Sequence, residues 1–87
     1  MKQKIKLHTV NVVRIVNGEF RDIHAFADNR SGNKRAETLF GGMIRTFEKS
    51  MFGIVDEEDF DDYIEDYIND GIYEHRSGFQ LLLVHSA

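Results

Sequence analysis

The sequence predicts a two-layer α+β domain, a three-stranded antiparallel sheet with two helices on one face, in the order β-β-α-α-β. Three observations carry this. A β-branched run leads into Asn17-Gly18, two stretches repeat apolar residues at helical spacing, and the chain closes on the apolar run Phe79–Val84. Eighty-seven residues, about two fifths apolar with seven Phe, suit one domain over 1–87 with a modest core.

The first strand spans residues 4–16, KIKLHTVNVVRIV, free of breakers. A second extended run covers Phe20 to Ala27. Asn-Gly between two such runs signals a type I′ hairpin, whose central residues both need positive φ. A two-residue loop sets Val12 opposite Ile23, Val10 opposite Ala25 and Ile15 opposite Phe20. The apolar face then changes side near Arg14, so either a bulge corrects the register or both faces are partly covered.

Asp28 to Asn33 reads as a polar loop, and a helix is expected from about Lys34 to Met51. Ala36, Leu39, Phe40, Met43, Phe47 and Met51 share one face. Ser31 or Asn33 is the expected cap, and Gly53 the stop. Gly41-Gly42 inside this pattern points to close packing or a kink, with a functional hinge as the alternative. The second helix is expected over about Asp56 to Asn69, with Asp56 as cap and Val55 stapled against Phe60. Phe60, Tyr63, Ile64, Tyr67 and Ile68 form its apolar stripe, and Asn69-Asp70-Gly71 ends it. The final strand, which reads as buried on both faces or placed centrally, is expected to pair with the first, because a lone hairpin is marginal.

Charge is divided along the chain. Residues 1–55 hold ten Lys/Arg and five Asp/Glu, residues 56–87 one and ten, giving about +5 and −9. Such polarity bears on partners rather than on fold. Residues 56–70, DEEDFDDYIEDYIND, carry nine carboxylates and no cation. On a helix, Glu58, Asp62, Glu65 and Asp66 point away from the apolar stripe, and Asp59 and Asp61 flank it. Four like-charge i,i+4 pairs (Glu57/Asp61, Glu58/Asp62, Asp61/Glu65, Asp62/Asp66) cost about 1–2 kcal/mol together. Two readings compete: a solvated face, or a surface that recognises a basic protein. In the second, the row imitates the closely spaced charges of a nucleic-acid backbone. In size and charge logic, though not in any motif, the chain resembles small phage- and plasmid-encoded inhibitors of nucleases.

The main alternative uses the basic front half. Arg30, Ser31, Gly32, Asn33, Lys34 and Arg35 combine a Gly and three cations at a helix start, an arrangement suited to an anion or nucleic acid. This is not a Walker A loop, which needs two glycines four residues apart followed by Lys and Ser/Thr. A self-associating structural protein is the third reading, a homodimer that uses Phe52 and Tyr73 near helix ends as interface residues or sets the basic front against the acidic back.

Other chemistry has little footing. The absence of Cys removes disulfides, thiolate metal sites and Cys nucleophiles, and suits a reducing, cytoplasmic setting. His8, His24, His75 and His85 lack the spacing of a helical zinc pair. The acidic run lacks the Gly at position six and Glu at position twelve of a calcium loop. No Ser sits in a nucleophile-elbow context. No cofactor, metal or catalytic residue is therefore expected, and no apolar run approaches the roughly 20 residues of a membrane span.

Overall fold

The computed structural model describes residues 8–53 and 57–86, with the side chains of residues 57–59 and 86 left aside. Its elements are β1 (Thr9–Val16), β2 (Glu19–Ala27), α1 (Arg30–Phe52), α2 (Glu57–Asp70), β3 (Ile72–Glu74) and β4 (Phe79–Ser86). The sheet is antiparallel with strand order β2-β1-β4-β3. The α+β class and the pairing of last strand with first agree with the sequence reading. The sheet, however, has four strands rather than three, because Ile72–Glu74 forms an edge strand on β4.

Asn17 and Gly18 both take positive φ, 53° and 80°, as a type I′ turn demands. Ile15 lies opposite Phe20, as expected from the turn. The ladder then slips by one residue at Arg14, leaving Arg21 unpaired, so Val12 faces His24 and Val10 faces Phe26. The bulge is the device that reconciles the two apolar patterns. It lets Phe26 lie against the core while Ile23 moves to the opposite side of the sheet.

α1 begins at Arg30, four residues before the expected start. Asn29, not Ser31 or Asn33, is the N-cap: its side-chain oxygen accepts from the Gly32 N–H at 2.7 Å. Gly32 is needed for a packing reason. A Cβ there would stand 1.7 Å from the Ala27 carbonyl oxygen, so only glycine lets the helix start this close to the end of β2. α1 runs unbroken through Gly41-Gly42 to Gly53, whose N–H donates to the Lys49 carbonyl at φ 87°. Gly41 is the close-packing position, since its Cβ would lie 2.9 Å from the Ile64 Cγ2 of α2. The expected Asp56 cap and Val55 staple lie outside the described residues.

The core forms where both helices meet one face of the sheet. Val10, Val12, Tyr73 and Leu81 supply the sheet side, Ala36, Phe40 and Ile44 come from α1, and Phe60 and Ile64 from α2. Tyr73, expected at an interface, is 2% exposed, because pairing with Leu81 turns it toward the helices. Alternation sends the other residues of each strand to the uncovered side. There Ile23, Val13, Leu82 and Ile72 form one row across all four strands.

Candidate functional site

The acidic helix is held by contacts that leave its outer side to solvent. Phe60 and Ile64 anchor it, and the missing Cβ of Gly41 lets α1 approach Ile64 closely. Glu48 of α1 accepts two phenolic hydrogen bonds of 2.6 Å, from Tyr63 of α2 and Tyr73 of β3. One carboxylate thus ties three elements together. Partial burial, and next the bond to Glu48, push both phenols above the ordinary tyrosine range. Tyr67 packs edge-on against both Tyr63 and Tyr73, at centroid distances of 5.1 and 4.9 Å.

Arg45 of α1 reaches α2 in two ways. Its guanidinium donates to Asp61 at 3.0 Å and stands 5.0 Å from the centroid of the Phe60 ring. The Asp61 side chain is 80% exposed, so this pair contributes little to stability. It does remove one carboxylate from the expected row. Asp62, Glu65 and Asp66 remain exposed and form no salt bridge among the described residues. The side chains of Glu58 and Asp59 lie outside those residues.

A groove of about 540 Å³ runs between the helices, floored by Gly41 and Ile64. Lys34 and Arg45 stand along its α1 wall, Asp61 and Glu65 along its α2 wall. The structure therefore brings one residue of the basic segment beside the acidic one, a juxtaposition no local pattern announces.

The remaining basic candidates are not in a loop. Arg30, Ser31, Gly32, Asn33, Lys34 and Arg35 form the first turns of α1. The place an external anion would take is occupied by the chain itself. Asn29 accepts the Gly32 N–H, and the Asn33 amide donates to Asp28 at 2.7 Å and to the Asn29 carbonyl at 2.8 Å. Asn33 Oδ1 also lies 2.9 Å from His85 Nε2, tying the helix start to β4. Among the described residues, no group of three or more His, Asp or Glu is placed to hold a metal ion. Nor is any described helix long and apolar enough to cross a membrane.

No family model, curated protein or solved structure matches the chain. Its chemistry is therefore read from its own residues. Two of them, Arg45 and Glu48, were not singled out by the sequence, where each is an ordinary charge on a helix face. Their roles arise only when α2 folds back on α1.

Proposed function

We propose that this chain is a non-enzymatic interaction module that engages a basic protein surface through the outer side of α2. In the finer form of this reading, α2 stands in for a nucleic-acid backbone and occupies a protein that normally grips phosphates. The observation that supports it is the state of Asp62, Glu65 and Asp66. They stay exposed, with no ion pair among the described residues, on a helix whose orientation is fixed by Phe60, Ile64 and the two tyrosine bonds to Glu48. Asp61 is answered by Arg45, at 3.0 Å. A face serving solubility alone mixes both signs; here the self-repulsion of Asp62 and Asp66 is left standing.

The test is capture of basic proteins from a cell extract on the immobilised chain. Retained partners should bind DNA or RNA on their own, be displaced by competing duplex, and elute steeply between about 50 and 200 mM salt. Asp62→Lys with Glu65→Lys should abolish retention without unfolding. Retention that survives the double substitution would end the proposal. Direct nucleic-acid binding through the start of α1 is the weaker reading, because Asp28, Asn29 and Asn33 already use that position. A gel shift lost on Lys34→Glu with Arg35→Glu would reverse that order.

A further inference from the structure

The three tyrosines of the chain, Tyr63, Tyr67 and Tyr73, lie in one cluster. They descend from the surface into the core: Tyr63 is 40% exposed, Tyr67 is half-buried and Tyr73 is 2% exposed. Two bridges join the outer tyrosine to the inner one. The Tyr67 ring stands edge-on to both, at centroid distances of 5.1 and 4.9 Å. Glu48 Oε2 accepts both phenols, each at 2.6 Å, so one oxygen atom is a single hydrogen bond away from either hydroxyl. The same two residues are thus joined by a path for an electron, through rings in contact, and by a path for a proton, through a carboxylate.

Composition directs oxidation to this cluster. The chain has no Trp and no Cys, so tyrosine is the side chain that gives up a single electron most readily. Methionine follows another course, taking up oxygen to become the sulfoxide. A phenol that loses only an electron becomes a strongly acidic cation, so at neutral pH the proton must leave with the electron. Burial, and next the bond to Glu48, keep Tyr63 and Tyr73 protonated, so oxidation cannot begin from a phenolate. A proton acceptor already in place therefore governs the rate.

We propose that Tyr63, Tyr67, Tyr73 and Glu48 form a one-electron oxidation site, in which Tyr63 meets the oxidant and Tyr73 stores the radical. The oxidant is a diffusible one-electron acceptor such as the carbonate radical anion. Tyr63 loses one electron to it, the phenolic O–H bond breaks, and the proton passes to Glu48 Oε2, while the oxidant leaves as carbonate. An electron then moves from Tyr73 to the Tyr63 radical by way of the Tyr67 ring. The Tyr73 proton goes to Glu48, and the proton that Glu48 took first returns to Tyr63. Tyr63 and Glu48 end as they began, and the unpaired electron rests on a phenoxyl group shielded from solvent. The gain is kinetic. Two Tyr63 radicals on different copies meet and couple ring to ring, whereas two buried Tyr73 radicals do not.

Freeze-quenched electron paramagnetic resonance on the full chain tests the proposal, with photogenerated tris(bipyridine)ruthenium(III) as the oxidant. The wild type should give a long-lived tyrosyl signal and little dityrosine fluorescence. Tyr73→Phe, which removes one hydroxyl, should abolish the long-lived signal and raise the yield of dityrosine-linked dimers. Glu48→Gln should slow radical formation by about 100-fold. Were that variant unfolded by circular dichroism, oxidation of the wild type in heavy water reports the same proton transfer and should be slower than in light water. A radical lifetime unchanged by Tyr73→Phe overturns the inference. So does a rate unmoved by Glu48→Gln, or by heavy water where that variant is unfolded, because the cluster would then be a structural clamp alone.

Discussion

Three glycines of α1 meet three different surroundings, and replacing each by alanine separates helix propensity from packing. In a helix interior the change alone contributes about 0.5–1 kcal/mol, because Gly is the more flexible residue unfolded. Gly42 has no neighbour within 4 Å of a built Cβ. Gly42→Ala should therefore keep the whole gain and raise Tm by about 2–8 °C in a chain of this size. At Gly41 the same gain is opposed by Ile64, whose Cγ2 would lie 2.9 Å away. Ile64 is 6% exposed and β-branched, so it yields poorly. Overpacking costs about 1–3 kcal/mol, leaving Gly41→Ala between neutral and about 2.5 kcal/mol less stable. At Gly32 the obstacle is backbone, 1.7 Å from the Ala27 oxygen and 2.8 Å from its carbon, which no rotamer change relieves. Gly32→Ala must push α1 off the end of β2 and disturb the Asn29 cap, costing more than about 2–3 kcal/mol. Urea and thermal unfolding followed by far-UV circular dichroism should rank the proteins Gly42→Ala, wild type, Gly41→Ala, Gly32→Ala. A Gly32→Ala protein as stable as wild type, or equal shifts at Gly41 and Gly42, would refute the close approaches on which the ranking rests.

Two other outcomes follow from named contacts. Asn29→Ala should cost about 1 kcal/mol in urea unfolding, since the Gly32 N–H loses its acceptor, whereas Asn29→Asp should keep most of the stability. The raised phenols of Tyr63 and Tyr73 stay protonated in the fold after unfolded tyrosines have begun to ionise near pH 10. Their contribution is therefore complete below about pH 10 and is lost as pH climbs further. Glu48→Gln removes the nearby negative charge and should move phenolate absorbance of the folded protein to lower pH, with a shallower alkaline loss of stability. An alkaline titration identical to wild type would count against the clamp.

The features legible in the sequence are those that nearby residues decide. Asn17-Gly18 specified a hairpin because only positive φ closes so short a loop, and the stripe through Ala36, Phe40 and Met43 specified a helix by its period. The start of α1 was misplaced because Ser31, Gly32 and Asn33 have loop chemistry, while the reason for a glycine there is the Ala27 carbonyl of another element. β3 was missed because three residues are too few to show alternation; Tyr73 is buried through its partner Leu81, which follows it in the chain. The bulge was one of two open alternatives, and the Ala27-ward half of β2 chose it by packing Phe26 on the core. For the candidate site, the acidic run was plain as composition. Its reduction by Arg45 was not, because that pairing exists only across the α1–α2 contact.

The ladder between β1 and β4 joins residues far apart in the chain, with Thr9 opposite Ser86 and Val16 opposite Phe79. The β1–β2 hairpin and the helix that follows it can form from local contacts as the chain emerges. β4, the strand that fits between β1 and β3, follows all the other described elements in the chain. Until it pairs, β1 has an unsatisfied edge and Tyr73 has no cross-strand neighbour, so assembly waits on a closure between residues far apart in the sequence. Such closures are slow relative to helix and hairpin formation. Synthesis halted before Phe79 would leave a hairpin and two helices with an open seam through the middle of the sheet, a species prone to pair with other nascent chains.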